Sequence, residues 1–143
     1  MIKPKEHKIL ISESHRISTI ELWDNAIVYI KIDDNEEILL EDSIKHNRFL
    51  KSHFNGKDKF LILVEPGAYT EISKEAREFS SKPENNLYSI ASAVITKSLA
   101  HRLIVNFIIK IVTPKHIKFR MFDGKEEAIN WLLEIKQSSE LNT

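Results

Sequence analysis

Phe60-Leu-Ile-Leu-Val64 is the stretch that decides the fold, since an unbroken apolar run of this length predicts a strand covered on both faces. Turn signals stand on either side of it, Asn55-Gly56 before and Glu65-Pro66-Gly67 after. A second largely apolar run, Ile90-Ala-Ser-Ala-Val-Ile-Thr96, follows further along the chain. Strands of this kind belong to parallel sheets that carry helices on their faces.

Helical patterns precede and follow both strands. Residues 41–54 predict a helix, and Asn55-Gly56 follows it as a C-terminal stop in which Gly56 is free to take the left-handed conformation. Ser73 is a candidate N-cap for a helix over residues 74–81. Residues 98–112 predict a long helix that ends before Pro114.

The N-terminal part predicts a β-hairpin. Residues 17–23 and 26–32 are rich in β-branched residues, and Asp24-Asn25 stands between them where a tight turn belongs. Residues 9–11 could add a short edge strand. The hairpin therefore contributes an antiparallel part to the sheet.

The C-terminal part completes the predicted order. Residues 117–122 alternate as a half-exposed strand does, and Asp123 begins a final helix. The order ββαβαβαβα predicts the α/β class, with a mixed, mostly parallel sheet and an N-terminal β-hairpin. We expect an N-terminal arm over residues 1–15, one domain over 16–137 and a frayed tail over 138–143.

Composition limits the classes of partner. The chain has 143 residues and no cysteine, so disulfides and thiolate chemistry are excluded, and a reducing compartment is favoured. Basic and acidic residues number 21 each, and without a basic excess we expect no nucleic-acid partner. The apolar stretch over residues 103–112 is broken by Asn106 and Lys110, so no integral membrane segment is expected. A cytoplasmic location is the resulting expectation.

Catalytic and cofactor motifs are not found. The three glycines, Gly56, Gly67 and Gly124, cannot form a phosphate-binding loop of the usual types. The histidines show no metal-binding spacing. We therefore expect no catalytic residue, metal or cofactor, although an enzyme stays open. If the protein is an enzyme, Glu65 is the first carboxylate to examine for a perturbed pKa.

Open α/β sheets form a crevice at the carboxyl ends of their strands. If the strands that end at Val64 and Thr96 are parallel neighbours, the loops that follow them meet there. Ser98 begins a helix, whose free N–H groups favour an anion; the alternative is a simple cap beside a solvated basic turn. The predicted ligand-binding residues are Thr70, Ser73, Lys97, Ser98 and Arg102.

The predicted helix over residues 98–112 is apolar over more of its circumference than a surface helix needs. Val105, Ile109 and Val112 fall outside its main apolar face. They could be covered within the chain, form a homodimer interface, or line an apolar ligand pocket or touch a membrane surface. We take them as the candidate interface residues.

Ile72-Ser-Lys-Glu-Ala-Arg-Glu-Phe79 and Lys97-Ser-Leu-Ala-His-Arg-Leu-Ile-Val-Asn-Phe107 look like segments of small stand-alone bacterial members of the STAS superfamily. The element order over residues 16–137 also resembles the STAS domain, the SpoIIAA-like fold of bacterial anti-anti-sigma factors. The resemblance implies a regulatory domain in which a Ser or Thr at the helix start after the central strand is phosphorylated. Ser73 has that place, and a plain N-cap is its other interpretation.

Two functional hypotheses follow. The first is a non-catalytic binding or regulatory module that contacts itself or another protein and forms a homodimer. The second is a carrier or sensor of a small anionic or apolar ligand, held in the crevice at the carboxyl ends of the strands.

Overall fold

A six-stranded mixed sheet forms the centre of the protein in the computed structural model, which describes residues 6–99, 101–102, 114 and 116–141. Its spatial order is β1-β2-β3-β5-β7-β8, and β4 and β6 form a separate two-stranded sheet. The strands are β1 (Ile9–Ser14), β2 (Ser18–Trp23), β3 (Ile27–Ile32), β4 (Glu37–Ile38), β5 (Phe60–Glu65), β6 (Glu71–Ile72), β7 (Ser89–Ile95) and β8 (Lys118–Phe122). The helices are α1 (Leu40–His53), α2 (Lys74–Ser81), a short 3₁₀ turn (Pro83–Asn85) and α3 (Lys125–Leu141).

The strand directions confirm the predicted fold class. β1, β2 and β3 pair antiparallel, and β3, β5, β7 and β8 pair parallel. The apolar runs over residues 60–64 and 90–96 correspond to β5 and β7, which are parallel neighbours with Val64 opposite Val94. Because parallel neighbours end at the same edge of a sheet, the loops after β5 and β7 meet there.

The core consists of two apolar layers, one on each face of the sheet. On one face Phe49 of α1 packs with β2, β3 and β5 side chains, among them the fully buried Ile20. On the other face Leu132 of α3 is fully buried against Leu61 and Leu63. Burial of each such side chain contributes about 1.5–3 kcal/mol, which makes these layers the main stabilising element.

The hairpin turn differs from the predicted two-residue turn. Leu22 pairs with Val28, so three residues, Asp24 to Ala26, form the loop. The left-handed residue is Ala26, with φ of 69°, and the Asn25 side chain accepts a hydrogen bond from the Ile27 N–H at 3.2 Å. A three-residue loop that ends in a left-handed residue is a common hairpin connection, usually with glycine at that position.

Some of the remaining predictions fall on residues that the structure describes, and others fall outside them. The edge strand continues to Ser14, inside the arm assigned to residues 1–15, and α3 continues to Leu141, inside the tail assigned to residues 138–143. Of the helix predicted over residues 98–112, Leu99, His101 and Arg102 are helical. The predicted interface residues Val105, Ile109 and Val112 lie outside the described residues, so that interface stays a prediction.

Candidate binding site

A cavity of about 380 Å³ lies at the edge of the sheet where β5 and β7 end. One wall is the loop between β5 and β6, and the other begins directly after β7. The lining residues are Gly67, Ala68, Tyr69, Thr70, Lys97, Ser98 and His101. The predicted crevice is therefore present, and we refer to it below as the crevice.

The loop wall is fixed to the segment after β3 by its backbone. The Asn35 N–H donates to the Ala68 carbonyl at 2.7 Å, and the Ala68 N–H donates to Asp34 Oδ1 at 2.8 Å. Gly67 approaches so closely that a Cβ there would lie 2.4 Å from the Asp33 carbonyl oxygen. No other residue fits at that position, which explains the glycine.

A second set of backbone contacts anchors the end of the same loop. β6 pairs parallel with β4, with Ile72 opposite Ile38. The Ser73 N–H donates to the Ile38 carbonyl at 3.0 Å. The loop is thus held at both ends before α2 begins.

Tyr69 lies at the middle of this loop in an unfavourable backbone conformation. Its φ is 59°, in the left-handed region that non-glycine residues rarely adopt. Its side chain is 82% exposed, so no burial of the ring compensates that cost. Such strain persists only where the surrounding structure fixes it, and it concentrates at functional sites.

The opposite wall consists of the polar residues Lys97, Ser98 and His101. Ser98 Oγ accepts a hydrogen bond from the His101 N–H at 3.1 Å, which caps the helical turn that begins there. Burial, together with the neighbouring Lys97 charge, lowers the pKa of His101 below its ordinary value. Leu99 beside them is 72% exposed.

The structure brings together three of the five residues predicted to bind a ligand, Thr70, Lys97 and Ser98. Ser73 and Arg102 are not among the residues that line the crevice. Ser73 Oγ accepts from the Ala76 N–H at 3.1 Å and so caps α2. The Arg102 guanidinium forms an ion pair with Asp123, which follows β8.

Four residues that line the crevice, Gly67, Ala68, Tyr69 and His101, are not among the predicted ligand-binding residues. Tyr69 lies in the loop after β5, but nothing in the sequence signals its left-handed backbone. His101 follows Ser98 one helical turn later, and it lines the crevice beside Ser98. The spacing i, i+3 was the available signal.

Glu65 at the end of β5 has a structural partner. Its Oε1 accepts a hydrogen bond from the Tyr29 hydroxyl at 3.0 Å. Burial raises the pKa of Tyr29, and the hydrogen bond to Glu65 raises it further. Lys125 Nζ lies 4.1 Å from the centre of the Tyr29 ring. Within the described ranges, no group of three or more histidine or carboxylate side chains could hold a metal ion.

Comparison with known proteins places the chain in a family. Residues 20–136 match the sequence model of a family described as Domain of unknown function (DUF7793). The chain belongs to this family. No curated relative matches it.

A solved structure shares the fold. The crystal structure of an uncharacterised protein of the DUF3478 family with a SpoIIAA-like fold, from Shewanella loihica, is similar to this chain with a TM-score of 0.54. The two share 14% identity over 92% of this chain and 99% of that one. The SpoIIAA-like fold expected from the STAS resemblance is confirmed. Of the helices in the described residues, none is long and apolar enough to span a membrane.

Proposed function

We propose that this protein is a non-catalytic regulatory module that binds a protein partner through the rim of the crevice. The observation that carries the proposal is Tyr69, an exposed aromatic side chain on a left-handed residue of a loop anchored at both ends. A loop held in this way presents the ring in one position before a partner arrives. Binding then costs less conformational entropy than it would from a flexible loop.

The rim has the composition of a protein-binding surface. Tyr69 lines one side of the crevice and is 82% exposed, and Leu99, which follows Ser98 of the opposite wall in the chain, is 72% exposed. Aromatic residues are enriched at the centres of protein interfaces, where they supply most of the binding energy. Lys97 and Ser98 add polar groups next to these apolar side chains.

The Thr70 and Ser98 hydroxyl groups of the crevice already form hydrogen bonds with the backbone. Thr70 Oγ1 donates to the Gly67 carbonyl at 3.0 Å, and Ser98 Oγ accepts from the His101 N–H. A nucleophile would instead need its hydroxyl within reach of a general base. These contacts support binding rather than catalysis.

The protein partner in one version of the proposal is a second copy of this chain. It uses Val105, Ile109 and Val112 of the predicted helix as the homodimer interface. Sedimentation velocity over a range of concentrations measures the subunit number. A strictly monomeric protein removes the homodimer, while the crevice rim stays available for a different partner.

Site-specific photo-crosslinking tests the proposal at the rim. A photoreactive benzoylphenylalanine replaces Tyr69 in cells of the source organism, and in a control chain it replaces Leu87, which is 51% exposed on another loop. We expect a discrete cross-linked protein at position 69 and none at position 87. Equal cross-linking at the two positions, or none at either, would contradict the proposal.

A small-ligand carrier is the second candidate, and the size of the crevice favours it. A cavity of about 380 Å³ falls within the usual range for small-molecule sites. Lys97 supplies a cation, and Ser98 begins a helix, which favours an anionic group. Native mass spectrometry of gently purified protein should then show retained mass that is lost in Lys97→Ala and kept in Lys118→Ala. Protein without added mass in every preparation would count against the carrier.

A further inference from the structure

A second cavity, of about 320 Å³, lies between α1 and the C-terminal end of β1. We call it the α1 groove. The buried side chain of Phe49 forms part of its lining, on the face of the sheet opposite α3. The α1 groove and the crevice share no lining residue.

The α1 groove carries two cations, Lys45 and Arg48, and one carboxylate, Glu13. Lys45 and Arg48 line it, both are exposed, and neither forms an ion pair with the described residues. Residues 43–57 contain no Asp or Glu, although the whole chain has as many acidic as basic residues. The excess of positive charge on α1 is therefore local.

The spacing of these cations opposes helix stability. Arg48 has Lys45 three residues before it and Lys51 three residues after it on α1. Like charges at this spacing lie side by side on a helix and repel each other. Lys51 lies in the last turn, where a cation is favoured by the helix dipole, but Lys45 and Arg48 gain nothing there. An anion between Lys45 and Arg48 would relieve the repulsion.

One further side chain of α1, that of Ser52, can donate a hydrogen bond into the same groove. The Ser52 hydroxyl has no hydrogen-bond partner in the part of the chain that the structure describes. His53 Nδ1 lies 2.9 Å from the Phe49 carbonyl, which fixes Nδ1 as the donor of that bond. With its proton on Nδ1, the neutral His53 ring offers only an acceptor at Nε2, so the donors to an anion come from the other side chains of the groove.

The carboxylate of the α1 groove is already engaged. Glu13 Oε2 lies 3.0 Å from His15 Nε2. Because a carboxylate only accepts, His15 donates through Nε2. The negative charge of Glu13 is thus partly offset before an anion enters.

We propose that the α1 groove binds a phosphate group, whose oxygens contact Lys45, Arg48 and the Ser52 hydroxyl. The guanidinium of Arg48 offers paired donors that match the oxygens of a phosphate, and Lys45 adds a compact point charge. Two cations also match the double negative charge of a phosphate better than the single charge of a carboxylate. The proposal is independent of the crevice and of its partner.

Titration with inorganic phosphate and with phenyl phosphate, followed by amide shifts in ¹⁵N-labelled protein at low ionic strength, tests the inference. We expect saturable shifts at Ser52 and His53. Tighter binding of phenyl phosphate identifies a phosphate ester as the natural class, whereas equal or tighter binding of inorganic phosphate identifies the free ion.

Charge-removing variants on α1 locate the site. Arg48→Ala and Lys45→Ala should each weaken binding about tenfold, whereas Lys51→Ala, the matched loss of charge outside the groove, should change it less than about twofold. Glu13→Gln should strengthen binding, because it removes the opposing charge. Urea unfolding of every variant establishes that it is folded. The inference is overturned if no saturable shift occurs up to about 10 mM ligand, or if Arg48→Ala and Lys51→Ala have the same effect.

Discussion

The guanidinium of Arg16 holds the buried carboxylate of Asp42. Nη2 lies 2.6 Å from Oδ2, and Nε lies 3.3 Å from Oδ1, while Asp42 is only 2% exposed. Asp42 Oδ2 also accepts the Leu39 N–H at 2.8 Å, which satisfies a free donor at the start of α1. Burial disfavours the charged carboxylate, but the bonds from Arg16 and Leu39 outweigh it and hold the pKa of Asp42 below its ordinary value. The pair therefore ties the segment before β2 to the start of α1.

Arg16→Ala should lower the free energy of unfolding, since it leaves a buried carboxylate without its cation. Urea denaturation near neutral pH measures the loss. Arg16→Lys keeps the charge without the paired geometry and should lose less. The double variant with Asp42→Asn should be less than additive, since the two residues interact directly. A loss below about 0.5 kcal/mol for Arg16→Ala would contradict this role.

His46 should make the stability depend on pH. Its Nε2 lies 2.8 Å from Ser18 Oγ, and burial, then the neighbouring His15, lower its pKa from 6.5 to about 4, against the opposing effect of Asp42. Between these two values the unfolded chain binds a proton that the folded protein does not. The stability that neutral His46 contributes is therefore complete above pH 6.5 and falls as the pH drops towards about 4, by at most about 3 kcal/mol.

Urea unfolding at several pH values between about 7.5 and about 4.5 measures this dependence. His46→Asn retains a hydrogen-bonding side chain beside Ser18 and cannot titrate. Its stability should fall less steeply over the same range, because only the titratable groups common to both proteins still contribute. Equal slopes for the two proteins would show that His46 is not the group responsible.

The sheet could be predicted from the sequence because its signal lies in periodicity. The apolar runs over residues 60–64 and 90–96 required cover on both faces, and parallel pairing followed from the helices between them. The pairing of β4 with β6 involves two residues on each side, too short for any period to appear in the sequence. That pairing shapes the crevice loop, so part of the site was not predictable.

The position of the candidate site in the sheet could be predicted from the sequence, but the set of side chains that line it could be predicted only in part. Thr70, Lys97 and Ser98 converge because loops after parallel neighbours meet at one edge. The Ser73 hydroxyl caps its own helix, α2, and the Arg102 guanidinium pairs with Asp123, the carboxylate after β8. Side-chain direction depends on such local partners, and sequence position does not reveal them.

Ala26→Gly should stabilise the protein by about 1 kcal/mol, because Ala26 has a φ of 69° and glycine takes that conformation without steric cost. Thermal and urea unfolding both measure the gain. Ala76→Gly is the matched control. Ala76 is fully buried in α2, where glycine should lower the stability by about 1 kcal/mol or more. A loss for Ala26→Gly would mean that the Cβ of Ala26 makes contacts worth more than its backbone strain.

Ser73→Ala should lower the stability by about 1 kcal/mol and increase hydrogen exchange in α2, because Ser73 Oγ accepts the Ala76 N–H. Ser73→Asp keeps an acceptor at the N-cap and adds a charge that the helix dipole favours, so it should retain the wild-type protection of Ala76. The two variants separate the cap from any signalling role. If Ser73 is regulatory, Ser73→Ala and Ser73→Asp should have opposite effects on partner binding. If Ser73 is only a cap, the two variants should differ in stability and bind the partner equally well. Unchanged exchange at Ala76 in Ser73→Ala would contradict the cap.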